Sequence, residues 1–328
     1  MIQNSPNIVV IGGGTGSFTI LKDLKKFTPN ITAIVNMSDD GGSSGVLRDE
    51  LGVLPPGDIR QCLVALSDNP EARNLFNYRF GDGRFDGQSL GNIILSGLEL
   101  QHHSLGKAIQ VSSDILQSTG RVIPITMTKH ILVMKDGSTI IKGEHNISKR
   151  IIKNNKPLLY LEPMVKINKD AAKAILDADL VVIAPGNLYS SLLPIFSVKG
   201  VDEAIAASRA KVIEIVNLIN KPGQTDGWHV ADYVKELERY IGKNQIDVVL
   251  YNTEPISDQL IAKYAADKEF PVSIKQSRLK EIKAKLVGTR LVSKEISAQD
   301  PNDKKIRRTL IRHDGIEISR QLMRIYYE

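Results

Sequence analysis

Asn7-Ile8-Val9-Val10-Ile11-Gly12-Gly13-Gly14-Thr15-Gly16 is an apolar run that breaks into glycines, and a helix-spaced apolar pattern follows from Ser17 to Phe27. A second apolar run, Ile31–Val35, ends in Ser38-Asp39-Asp40-Gly41-Gly42-Ser43-Ser44-Gly45. The order is strand, glycine turn, helix, strand, second glycine turn. In an open parallel sheet both turns fall at the carboxyl ends of neighbouring strands, where such sheets bind ligands. Gly12, Gly13, Gly14, Thr15 and Gly16 leave backbone N–H groups bare beside a helix N-terminus, whose positive end favours a phosphate or diphosphate. The same residues also read as a purely structural tight turn.

Working outward, the chain repeats this pattern. Asp179–Ala184 is a short apolar strand, and Pro185-Gly186-Asn187-Leu188-Tyr189-Ser190-Ser191 enters a helix after it. Gly186 and Asn187 are therefore further candidates for anion or sugar contacts. Strands are expected at Val212–Val216, Asp247–Tyr251 and Pro271–Ile274, with helical patterns between them. Asn217 and Asn252 end two of these strands, and polar residues at successive strand ends fit a ligand crevice or simple turns. Tyr264, on a helix expected from Asp258 to Asp267, is a candidate for stacking on a base or sugar, with core packing as the alternative. This alternation predicts an α/β, Rossmann-like, doubly wound and mostly parallel sheet in one unit spanning 1–328. Residues 122–163 differ: Ile131–Met134, an Asp136-Gly137 turn and Thr139–Ile141 form a hairpin, and Pro157–Leu161 is a further extended run. These strands have no helices between them. They predict a small antiparallel β insert, or an arm that pairs with a second copy of the chain.

The glycine turn does not carry the dinucleotide fingerprint, because its sixth position is Ser17 and the second strand runs into Asn36 rather than an acid. No Lys-Ser/Thr pair follows the glycines either, so the P-loop pattern fails. Neither NAD nor a flavin is expected. Asp39 and Asp40, just past a strand end, and Asp58, after Pro55-Pro56-Gly57, are candidate magnesium ligands beside a phosphate cradle. The alternative is turn and cap chemistry, with Asp58 at the start of a helix near Ile59. Asp177-Ala178-Asp179 reads as the junction of a helix and a strand. His102-His103 lies at a helix end, and His229 lies beside a helix start.

The 328 residues are 42% hydrophobic and include one cysteine, Cys62, so no disulfide framework or Cys-based metal site is expected. No apolar stretch approaches a bilayer span and no signal peptide is visible, which leads to the expectation of a cytoplasmic protein without membrane insertion. Net charge is +6, and residues 271–328 hold 14 Lys or Arg against 7 Asp or Glu. This basic C-terminal segment lacks interleaved aromatics and zinc spacing, so specific nucleic acid binding is not expected. Arg312, after the strand-like Thr309-Leu310-Ile311, is the candidate phosphate contact there, and His313 reads as a surface histidine.

Four stretches together carry a family resemblance. They are GGGTG at 12–16, NMSDDGGSSGVLRDELGVLPPGDIRQCLVAL at 36–66, GQSLGNIIL at 87–95 and APGNLYSSLLP at 184–194. With them the chain resembles the bacterial gluconeogenesis factor family, itself similar to the 2-phospho-L-lactate transferases of deazaflavin cofactor synthesis. The resemblance implies a cytoplasmic, Rossmann-like regulatory protein that binds a UDP-sugar such as UDP-N-acetylglucosamine or UDP-glucose. It also implies a requirement for normal cell shape under gluconeogenic growth, and a protein partner in cell-wall synthesis. The transferase branch implies magnesium-dependent transfer of a phospholactyl group from a nucleoside diphosphate donor. This chain departs from that branch at Gly41-Gly42-Ser43-Ser44-Gly45 and at Pro56-Gly57-Asp58-Ile59-Arg60, where the transferases carry a more acidic segment. The low aromatic content, 5% with a single Trp, also argues against a deazaflavin cleft.

Overall fold

The computed structural model describes residues 5–154, 156–294 and 310–328. Among these, the strands are β1 Ile8–Gly12, β2 Ile31–Val35, β3 Arg121–Pro124, β4 Ile131–Asp136, β5 Thr139–Lys142, β6 Leu158–Glu162, β7 Leu180–Ile183, β8 Lys211–Ile215, β9 Val248–Asn252 and β10 Lys285–Thr289. Seven of them form one sheet in the order β10-β9-β8-β7-β1-β2-β3, and every neighbouring pair in it is parallel. The remaining three form a separate antiparallel sheet, β5-β4-β6. The α/β, mostly parallel fold with a small antiparallel insert is the one expected from the sequence.

β1 and β2 are buried at every position. The Ile/Val run of β1 and the mostly apolar β2 suit this, because a parallel strand covered on both faces has no side to present to water. Each fully buried Val or Ile contributes about 1.5–3 kcal/mol. The pairing runs from Ile8 opposite Ile31 to Gly12 opposite Val35, so both strands end at one level and their glycine turns stand side by side. Helix Gly14–Leu24 packs against helices Gly57–Leu66 and Gly315–Tyr327. The chain leaves β1 toward β2 on one side and fills the other side with β7. A crevice therefore opens at the carboxyl ends of β7, β1 and β2.

Four expectations shift. The first helix starts at Gly14 and ends at Leu24 rather than spanning Ser17–Phe27, because extended Gly13 (φ −148°, ψ 174°) turns the chain directly into it. Pro271–Ile274 is not a sheet strand and makes only isolated bridges, Pro271 to Ile219 and Ser273 to His229. The edge strand is instead β10, which contains Gly288, a residue type that weakens strand interiors. That glycine is required by close approach, since a Cβ there would lie 2.6 Å from Thr253 Cγ2 and 2.9 Å from the Tyr251 ring. The insert expected from residue 122 gives its first residues, Val122–Pro124, to main-sheet strand β3.

The last shift concerns Thr309–Ile311. Thr309 lies outside the described residues, as do residues 295–308 of the basic C-terminal segment, while Leu310 and Ile311 are not in a strand. Among the described residues no helix is long and apolar enough to cross a membrane.

Candidate functional site

Helix Gly14–Leu24 has no side-chain cap of its own. Its first N–H, that of Gly14, donates instead to Asp58 Oδ1 at 2.8 Å, from a residue 44 positions away. The helix N-terminus at the glycine turn thus holds the protein's own carboxyl group. The glycines divide by role. A Cβ on Gly13 would lie 2.0 Å from Asp58 Oδ2 and one on Gly16 would lie 1.8 Å from the Pro185 carbonyl oxygen, so both are fixed by close approach. Gly14, at φ +62°, would place a Cβ in open space. Asp58 sits in the first turn of helix Gly57–Leu66, whose N-cap is Pro56. It therefore caps a neighbouring helix rather than its own.

Burial pushes the Asp58 carboxyl up to about 7, and the charge of Asp39 adds to that. Burial likewise raises Asp39, against the Gly41 N–H and the Ser44 hydroxyl that bond it. Asp39 and Asp40, adjacent in the chain, part company here. Asp40 is turned to the insert, where its two oxygens accept the N–H groups of Glu144 (3.0 Å) and His145 (2.7 Å) and so cap the short helix Glu144–Ser148. These bonds give Asp40 the cap chemistry that was the alternative to magnesium binding in the sequence. Glu144 joins this acidic cluster: burial pushes its carboxyl up to about 7, the Ser190 hydroxyl bonds it, and Asp39 and Asp40 are the carboxylates acting on it. Nothing local in Lys142-Gly143-Glu144-His145 marks that residue, because its neighbours come from two other parts of the chain.

Beside Asp39 a cavity of about 570 Å³ opens, within the range of small-molecule sites. Asp39, Ser44, Arg60, Gln61, Arg79 and Gln88 are among its lining residues. Helix Gly42–Leu51 also presents its N-terminus there without a side-chain cap. Arg60 is buried and positioned by Asn92 Oδ1 (2.9 Å), Asn77 Oδ1 (3.1 Å) and the Phe76 carbonyl (3.3 Å). Ser43 links the walls by donating to Gln88 Oε1 and accepting from Asn92 Nδ2. In sequence the Gly87–Leu95 stretch stands out as part of the family resemblance, and Arg60, Gln61 and Gln88 are missed as cavity residues.

The other candidates lie on the far side of the glycine turn. Asn217 exchanges two hydrogen bonds with the Gly186 peptide, accepting its N–H at 3.0 Å and donating to its carbonyl at 2.8 Å. This clamps the ends of β7 and β8 and uses the Asn217 amide for structure. Asn187 keeps a buried Oδ1 without a partner among the described residues. A second cavity of about 470 Å³ is lined by Asn217, Tyr251, Asn252 and Ile256 among others.

Tyr264 is 3% exposed, and its hydroxyl accepts the N–H groups of Leu310 and Ile311. Its ring is thus core, the core-packing reading of the two, and its hydroxyl is a tether. Arg312 sits next to His313, whose ring bonds the Val216 carbonyl at the second cavity. Burial lowers His313 to about 4, so this half-buried ring is neutral. His229 caps helix Val230–Ile241 itself, through a reciprocal arrangement with Asp232. Asp179 accepts the Asn7 N–H at a strand start, and Cys62 is buried.

Among the described residues no group of three Asp, Glu, His or Cys side chains is arranged to hold a metal by itself. Magnesium, however, is commonly held by one or two carboxylates together with substrate phosphates. Asp39 and Asp58, mutually repelling and next to the glycine turn, fit that donor chemistry.

The family described as 2-phospho-L-lactate transferase CofD matches residues 8–292. The chain is 41% identical over 281 residues to the gluconeogenesis factor of Halalkalibacterium halodurans, covering 84% of this chain and 86% of that one. It is 42% identical over 264 residues to the gluconeogenesis factor of Listeria innocua, covering 79% and 81%. A crystal structure of a Bacillus halodurans protein superposes with a TM-score of 0.88 at 36% identity, over 97% of this chain and 99% of that one. The matched span takes in the glycine turn, Asp39, Asp58 and the insert that delivers Glu144, and on this agreement of sequence and fold the chain belongs to the CofD family, among its gluconeogenesis-factor members.

Proposed function

We propose that this protein binds a nucleoside diphosphate sugar of the UDP-sugar type at the carboxyl ends of β1 and β7. In this reading it is a cytoplasmic regulatory factor for gluconeogenic growth and cell shape. The observation that carries the reading is the Gly14 N–H held by Asp58. A helix N-terminus capped by an internal carboxylate is an anion site, and a carboxyl poised near 7 by burial is readily displaced by a diphosphate. The open space at Gly14 leaves room for that exchange.

Asp39 and Asp58 would hold magnesium together with the diphosphate, and the ion would neutralise phosphate charge. The same pair supports the transferase as a second reading, since the family is named for one. Against it stands the cavity beside Asp39, where Phe80 is the aromatic among the lining residues, a poor bed for a flat deazaflavin.

Calorimetric titration with UDP-N-acetylglucosamine, UDP-glucose and GDP, with and without magnesium, tests the proposal. Saturable UDP-sugar binding without turnover is expected, together with its loss in Gly14→Asp, which places a carboxylate in the cradle. Retained affinity in a folded Gly14→Asp protein overturns the phosphate assignment. Preference for GDP with a magnesium requirement moves the protein to the transferase reading.

A further inference from the structure

Three features line up along the carboxyl edge of the main sheet. The second cavity lies at the ends of β8 and β9, where Val216, Asn217, Tyr251 and Asn252 line it. The glycine turn follows β1, with Pro185 of the segment after β7 packed on Gly16. The larger cavity begins at Asp39, just beyond β2. In strand order β8-β7-β1-β2 these ends are three spacings apart, about 14 Å. The glycine turn and the larger cavity share a rim, because Gly57 lines the cavity while the next residue, Asp58, bonds Gly14.

The two cavities differ in chemistry. The second carries apolar Val216, Leu218, Ile256 and Ile261 beside Asn217 and Asn252, and no guanidinium group is among its described lining residues. The larger one carries two carboxylates, Asp39 and Asp86, the amides of Gln61 and Gln88, guanidinium groups and one aromatic face, Phe80. Directional donors and acceptors around one apolar ring face suit a polyhydroxylated ring. Among the described residues the Gln61 side chain has no hydrogen-bond partner, and Gln88 uses only its Oε1, on Ser43, so amide groups remain for a ligand. One residue from Gln88, Ser89 is 1% exposed and its hydroxyl has no partner among the described residues.

We infer that the cavity bounded by Asp39, Gln61, Arg79, Phe80 and Gln88 receives the glycosyl group of the nucleotide sugar and selects among sugars. The diphosphate then crosses the glycine turn and the nucleoside lies toward β8 and β9. This rests on the nucleotide-sugar reading, and it adds an orientation and a set of specificity residues.

The test compares UDP with UDP-N-acetylglucosamine by calorimetry on the full chain. Two variants are used, Gln61→Leu, which removes an amide with no internal partner among the described residues, and Val46→Trp, which fills the cavity mouth from a residue 42% exposed. Wild type is expected to bind the sugar nucleotide more tightly than UDP. Gln61→Leu should weaken the sugar nucleotide about three- to tenfold and Val46→Trp should remove its advantage altogether, both with wild-type affinity for UDP. Unchanged UDP affinity also certifies that each variant is folded. If both variants keep the full margin between sugar nucleotide and UDP, the glycosyl group lies elsewhere and the inference fails while the nucleotide reading stands. A wild-type protein that binds neither compound removes the nucleotide reading, and the inference with it.

Discussion

Replacing Asp58 by Asn separates the charge of the site from its geometry. An Asn Oδ1 can accept the same Gly14 N–H bond, 2.8 Å in the wild type, so the cap survives while the negative charge disappears. The wild-type carboxyl is raised from 3.8 to about 7, first by burial and then by Asp39. A group raised in the folded state favours folding at low pH, and that contribution is lost as pH rises. The loss begins near the ordinary value of about 4 and is complete just above about 7. A shift of about three units corresponds to about 4 kcal/mol. Partial solvent contact at Asp58 screens it, and about 2–4 kcal/mol is the working figure. Urea denaturation of both proteins between about pH 4 and pH 8.5 measures it. The two should have similar stability near pH 4, and Asp58→Asn should be the more stable by about 2–4 kcal/mol at pH 8. Parallel pH profiles, or an Asn variant less stable than wild type at pH 8, would refute the claim that the folded protein holds a carboxylate here against burial and repulsion. Stability given up at a binding site in this way is the expected trade against function.

Three other outcomes follow from the same geometry. Gly16→Ala pushes a Cβ to within 1.8 Å of the Pro185 carbonyl oxygen and should destabilise the fold by about 1–3 kcal/mol, read as a lower urea midpoint at unchanged m-value. Asn217→Ala strips both bonds from the Gly186 peptide; about 1–3 kcal/mol of stability should go with them, and hydrogen exchange at Gly186 should quicken. If Asp39 and Asp58 attract magnesium, the ion at pH 8 should raise the Tm of wild type more than that of Asp39→Asn. An equal shift in the two proteins would return Asp39 to a purely structural role.

Local signals carried much of the fold. Uninterrupted Ile/Val runs such as Ile8–Ile11 mark strands buried on both faces, and the glycines after them mark turns at their carboxyl ends. Such signals need no knowledge of distant neighbours, so the parallel sheet, the hairpin insert and the glycine turn were all legible in the sequence. β10 was not, because Gly288 argues against a strand until Tyr251 and Thr253 are seen pressed against it. The chemistry of the site was legible only in outline. Sequence marked Asp39, Asp40 and Asp58 alike as acids near a glycine turn. Tertiary structure alone gave Asp40 to the insert helix, aimed Asp58 at Gly14, added Glu144 and buried the Tyr264 ring. The physical reason is that a carboxylate's role depends on which N–H groups and charges surround it. Those partners lie 44 residues from Asp58 and 104 and 105 residues from Asp40, separations that chain folding closes and that no local pattern encodes.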